Sequence, residues 1–140
     1  MERVVVGRDF GEAEVEFSEF DRDQFVITCS GDSFRFSRRI RLDEDLGVAD
    51  GSAGLLTYFE SLLLPWPSRQ ESRDWGGKYF GLHLLSTSDG CGHVQIEWRV
   101  GHGDLKYLRP RWAATVVTTL DVSTVERTTR HLRAFFHQVT

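Results

Sequence analysis

Cysteine is scarce in this 140-residue chain: Cys29 and Cys91 stand alone, with no C-x-x-C between them. That argues against a zinc ribbon or a thioredoxin-like redox pair, and the default in a cytosolic chain is two reduced thiols. Long apolar runs are missing too. None approaches the ~20 residues that span a bilayer, so no membrane partner is expected. The opening stretch MERVVVGRDF carries acids on both sides of a short apolar run and no small-residue cleavage site, so it does not read as a signal peptide and the expected compartment is the cytoplasm. Lysine is nearly absent, with two against 15 arginines. Neither G-x-x-x-x-G-K-[ST] nor G-x-G-x-x-G occurs, which removes a phosphate loop. Internal repeats, low-complexity stretches and composition breaks are lacking, so residues 1–140 are read as a single domain.

The content that remains is globular: 40% hydrophobic and 27% charged residues, enough for an ordinary core. Charge is unevenly spread. The net charge is −4; residues 1–50 hold 13 acids against 7 bases, and residues 51–140 hold 8 against 10. Asp9, Glu12, Glu14, Glu16, Glu19, Asp21 and Asp23 have only Arg22 among them. Such a balance argues against nucleic acid, whose phosphates demand a basic surface, and permits a basic protein partner.

Period-2 patterns dominate the first half. Val15 and Phe17 alternate with Glu14, Glu16 and Ser18; Phe25, Ile27 and Cys29 alternate with Val26, Thr28 and Ser30. Phe34, Phe36, Ile40 and Leu42 share a face opposite Arg35, Ser37, Arg39 and Arg41. Arg38 interrupts that apolar face, and a bulge or a strand end is expected near there. An acidic, Gly-rich loop over 43–54 leads into a helix capped by Asp50 or Ser52, with Leu55, Leu56, Phe59, Leu62 and Leu63 at helical spacing and Pro65 and Pro67 ending it. Residues 65–78 read as a polar loop bracketed by Trp66 and Trp75. The clearest hairpin follows: Phe80, Leu82 and Leu84, an Asp-Gly turn, then Val94, Ile96, Trp98 and Val100. Trp112 to Leu120 gives a last long strand. Ser123 and Glu126 form a capping box for a final helix, whose buried stripe is Val125, Thr129, Leu132, Phe135 and Phe136 and whose wet face is Arg127, Arg130 and Arg133. The expected fold is α+β: a curved antiparallel sheet of about six or seven strands, with a central helix and a C-terminal helix packed on one face.

Candidate chemistry gathers at the hairpin. His83, Cys91 and His93, with His102 and Asp104 further along, are nitrogen, sulfur and oxygen ligands of the kind zinc takes. Their spacing matches no common zinc pattern, and a turn collects Gly, Asp and His for its own geometry. Cys91 beside His93 also has the residue types of a thiolate and base, without a G-x-S-x-G or Gly-rich helix start to supply an oxyanion hole. Outside the hairpin, Glu12, Glu14, Glu16 and Glu19 could form an acidic contact surface, or a charged edge that blocks aggregation. Trp66 and Trp75 are either lids folded onto the core or exposed aromatic anchors. The strip Arg35, Arg39, Arg41 could meet an anion or be a solvated or cross-strand-paired face.

Trp75-Gly76-Gly77, Gly92-His93-Val94, Trp112-Ala113-Ala114 and a capped helix running from Glu126 to Leu132-Arg133-Ala134-Phe135-Phe136 are similar to DUF6228, a family of small bacterial, mainly actinobacterial, proteins. The similarity covers the C-terminal half well and the N-terminal half loosely. It implies an intact bacterial domain and carries over no activity and no catalytic residue. The functional expectation is therefore a non-enzymatic protein-binding module, in one version like the immunity proteins of toxin systems, with an acidic surface for a basic partner. No cofactor is expected. The alternative is a small-molecule or metal-binding protein, zinc included, built on the 83–93 hairpin.

Overall fold

Ten elements follow one another in the computed structural model, which describes residues 3–7, 13–22, 24–41, 51–68, 71–76, 81–104 and 109–137, with side chains at 51, 102–104 and 109–113 outside the description. They are β1 (Arg3–Gly7), β2 (Glu14–Asp21), β3 (Gln24–Ser30), β4 (Arg35–Arg41), α1 (Gly51–Ser61), β5 (Ser72–Gly76), β6 (Leu82–Ser88), β7 (His93–Asp104), β8 (Arg109–Asp121) and α2 (Val122–Phe136). The class is α+β, as the periodicity implies. The single curved sheet is a misreading: β1-β2-β3-β4 (sheet A) and β5-β6-β7-β8 (sheet B) are two separate four-stranded antiparallel sheets. Alternation identifies a strand's faces but not its neighbours, so the break imposed by α1 leaves no mark on the pattern. Each half of the chain is a four-strand meander followed by a helix, an architectural repeat with no counterpart in the sequence.

Strand β5 lies inside the segment expected to be loop. Of Ser72-Arg73-Asp74-Trp75-Gly76 only Trp75 is apolar, so no alternation can show. Two further expectations shift. No bulge occurs at Arg38, where β3 and β4 pair without a break from Gln24↔Arg41 to Ser30↔Arg35. The register shift falls in β2 between Ser18 and Asp21, where Glu19 takes a positive φ of 52°. In α2 the cap is Asp121, not Ser123: its Oδ1 accepts from the Thr124 backbone N–H at 2.8 Å and from Ser123 Oγ at 2.8 Å. Because β8 passes straight into the helix, Ser123 is already in the first turn. These bonds hold the Asp121 carboxyl below its ordinary range, the Thr124 backbone bond contributing most.

The inner faces of both sheets and both helices share one core. Val15 and Phe17 of β2, Phe25 and Ile27 of β3, Leu82 and Leu84 of β6, and Ile96 and Trp98 of β7 are all buried. Phe17 stands at the junction. Its ring lies 5.3 Å from Phe25 in a stacked arrangement, 5.9 Å edge-on from Trp98 across the sheets, and 6.2 Å and 6.4 Å from Phe135 and Phe136 of α2. Phe59 of α1 reaches Trp98 at 6.2 Å. Trp98 Nε1 donates to Thr118 Oγ1 at 2.9 Å, which satisfies a buried donor. Thr118 turns its methyl toward Gly7 of β1. A Cβ at Gly7 (φ +102°) would sit 2.8 Å from that methyl and 2.7 Å from the Ala13 carbonyl oxygen. Only glycine fits there, and the two sheets meet along β1 and β8 for that reason.

Helix α1 buries Leu55, Leu56 and Phe59 as its spacing implies, and Leu62 just past its end is buried too, while Leu63 is exposed. Its C-terminal carbonyls need partners, and Arg73 of β5 supplies them. The guanidinium donates to the carbonyls of Ser61, Leu64 (3.3 Å) and Pro65 (2.7 Å), and Nε reaches Glu71 Oε1 at 3.3 Å. It also lies 3.8 Å over the Trp66 ring, while Trp66 Nε1 donates to Leu62 O at 3.2 Å. One side chain thus joins helix end, loop and strand. Arg73→Ala should lower the stability measured by urea unfolding by about 1 kcal/mol or more, since charged hydrogen bonds to one part-buried and two exposed carbonyls are lost together. Arg73→Lys should recover only part, because an ammonium cannot present the planar fork.

Candidate functional site

The β6–β7 hairpin pairs from Leu82↔Val100 to Ser88↔Val94, and its tip is organised by Asp89. Oδ1 accepts from the backbone N–H of Cys91 at 2.6 Å and of His93 at 3.1 Å, and Oδ2 lies 2.7 Å from His93 Nδ1. The Cys91 backbone bond contributes most to holding this carboxyl below its ordinary range. Gly90 and Gly92 take positive φ values of 76° and 88°, so the turn uses both glycines. The polar residues at the tip are those the turn needs.

His83 is elsewhere. It pairs with Arg99, six residues along β7 from His93, a separation of about 20 Å at strand rise. Its Nε2 lies 3.3 Å from Asp74 Oδ2 on β5. The sequence reading of His83, Cys91 and His93 as one ligand set is therefore corrected: ligands about 2 Å from one ion cannot be drawn from both ends of the hairpin. Among the described residues no group of three His, Cys, Asp or Glu is placed to hold a metal; the side chains of His102 and Asp104 lie outside them. Two imidazole–carboxylate pairs result. The His83–Asp74 pair left no signal in the sequence, because Asp74 stood in a segment read as loop. Beside the tip, Thr87, Ser88, Asp89, His93, Gln95 and Thr119 line an open groove of about 330 Å³. A second groove of about 340 Å³ runs between α1 and α2, lined by Glu60, Leu63, Glu126, Thr129, Arg130 and Arg133, with Glu60 and Arg133 ion-paired across it.

The acidic residues change meaning once the strands are paired. Glu12 lies outside the described residues. Glu14 and Glu16 sit on β2, an inner strand between β1 and β3, so they form no edge. Glu16 lies 3.6 Å from Arg3 of β1. Glu19 is exposed at the bulge. Trp66 and Trp75 are half-buried and packed against the core, which removes them as protruding anchors and matches the lid alternative.

The solvent side of sheet A is sorted by charge. Its columns are Arg3 and Val5 on β1; Glu14, Glu16 and Ser18 on β2; Val26, Thr28 and Ser30 on β3; and Arg35, Ser37, Arg39 and Arg41 on β4. Thr28 Oγ1 and Ser37 Oγ are hydrogen-bonded at 2.8 Å. The four β4 residues of this face are exposed, and Phe34 just before them is 42% exposed. β4 ends the sheet among the described residues.

Two four-stranded meanders with two helices define an α+β class, and no described helix is long and apolar enough to cross a membrane. No family model matches this chain, and no curated protein or solved structure matches it significantly.

The two thiols should behave differently. Cys29 is buried on the core face of β3, and burial pushes its thiol up from 9.0 to about 12, whereas Cys91 is exposed. Ellman's reagent at about pH 8 should read one thiol in the folded protein and a second only after denaturation. The raised value favours the protonated, folded form. Its contribution to stability is full below pH 9 and is lost as pH rises toward about 12. Cys29→Ala should flatten that alkaline limb in pH-dependent urea titrations; a limb unchanged by the substitution would assign the loss to other groups.

Proposed function

We propose that this protein is a non-enzymatic protein-binding module that makes its contact through the solvent face of sheet A. The observation that carries the reading is the charge-sorted face itself: a four-strand surface with a mixed column of Arg3 and Val5, one of carboxylates, one neutral and one of arginines, backed by the buried core. A flat surface of ordered charges suits a protein surface, whereas a small ligand is bound in a concavity that buries most of it. An immunity-like role, in which such a face covers part of a toxin, is one form of this reading. A cytosolic setting fits Cys91 as an exposed free thiol. The similarity of residues 75–136 to DUF6228 adds no chemistry.

Quantitative affinity capture from the native host tests it, using the wild type, Arg35→Glu/Arg39→Glu, Glu14→Lys/Glu16→Lys, and the hairpin control His93→Ala/Gln95→Ala. At least one protein should be retained by the wild type and the hairpin control and lost from a sheet A variant. Identical capture by all four chains, or loss confined to the hairpin variant, would contradict the reading.

A further inference from the structure

We propose that this protein pairs with a second copy of itself through the groove between α1 and α2, a surface separate from the sheet A face. The charges of that groove are only partly used within the chain. Glu60 and Arg133 are ion-paired across it. Glu126 and Arg130, which line the same groove, are exposed and have no hydrogen-bond or ion-pair partner among the described residues. They stand one turn apart on α2, about 6 Å along its axis at 1.5 Å per residue.

The α1 side of the groove is apolar. Leu63 lines it and is 38% exposed, and the next residue, Leu64, is 59% exposed. Pro65 and Pro67 after them are exposed too. Single exposed apolar side chains are ordinary, whereas a run of them beside a concavity marks a contact surface. This run is already ordered. Arg73 donates to the carbonyls of Leu64 and Pro65, and Trp66 Nε1 donates to the Leu62 carbonyl. Little freedom is therefore left to lose on association.

The charge pattern selects the occupant. One unpaired carboxylate and one unpaired guanidinium cancel, so the groove favours neither a uniformly acidic nor a uniformly basic partner. It suits a surface that carries both signs at one-turn spacing in the reverse order. A second copy related by a two-fold axis presents that pattern by symmetry. With the axis between positions 126 and 130, the two α2 helices run antiparallel, and Glu126 of each copy meets Arg130 of the other. The same packing takes Leu63 of both copies out of water. Each chain already encloses its own core, so the dimer is a reversible one rather than an obligate one.

Sedimentation equilibrium of the full chain from about 1 μM to about 500 μM tests the proposal. The wild type should pass from monomer to dimer as concentration rises. Glu126→Arg and Arg130→Glu each set like charges opposite one another at both contacts, and each should weaken the dimer about tenfold or more. Mixed in equal amounts, the two variants should associate again, because one copy then carries two arginines and the other two glutamates at the matched positions. Leu63→Ser/Leu64→Ser should also weaken the dimer. A wild type that stays monomeric across the range would overturn the proposal, as would a dimer indifferent to both charge reversals. Weakening by each reversal with no recovery on mixing would overturn the two-fold pairing, and the proposal with it. The sheet A reading stands or falls separately, by host capture.

Discussion

Everything in this structure depends on how two sheets that share no hydrogen-bonded strand pair are held together. The answer lies at Thr118. Its hydroxyl accepts from the Trp98 indole at 2.9 Å, and its methyl faces Gly7 on β1, where a Cβ would be only 2.8 Å away. Directly behind it, Phe17 of sheet A meets Trp98 of sheet B edge-on. A buried indole N–H without a partner would be costly, and a side chain at position 7 would push β1 off β8. One missing Cβ and one aromatic contact therefore set the two meanders against each other, and the Trp98–Thr118 hydrogen bond, made between β7 and β8 within sheet B, holds both side chains in place for them. Both helices then close over the same aromatic cluster, α1 through Phe59 and α2 through Phe135 and Phe136.

With both inner faces and both helices committed to one core, each sheet turns its other face outward, with Glu14, Glu16, Arg35 and Arg39 on sheet A and Gln95, Glu97 and Arg99 on sheet B. The hairpin tip is a turn satisfied by its own carboxylate. The end of α1 is closed by Arg73. Sheet A keeps one face and its rim strand turned outward, with charges separated into columns by the pairing of the strands. The proposed binding role follows from that residue: a rigid sheet backed by aromatic packing offers ordered contacts at little entropic expense.

Much of this was legible in the sequence, and what was not has definable causes. Strands β3, β6 and β7, the first half of β2 and helix α2 carry clear periods, so their buried faces follow directly from Val15/Phe17, Phe25/Ile27, Ile96/Trp98 and Val125/Leu132. Strand β5 has one apolar residue and thus no period, and with it went Arg73 as a helix-end clamp and Asp74 as the partner of His83. Alternation also says nothing about which strand is inner and which is edge. That is why Glu14 and Glu16 looked like an acidic rim. The Cys/His cluster at 83–93 was close in sequence but spread along a hairpin, where ten residues carry a side chain to the far end of the sheet.

The central claim is that the Phe17–Trp98–Thr118–Gly7 junction makes the two sheets one cooperative unit. Native-state hydrogen exchange on the wild type and on Thr118→Val tests it most directly. Slow amides around Ile27 in sheet A and Ile96 in sheet B should open with the same free energy, and Thr118→Val should lower both by the same amount. Separate opening energies for the two sheets, or loss of protection in sheet B alone, would contradict it.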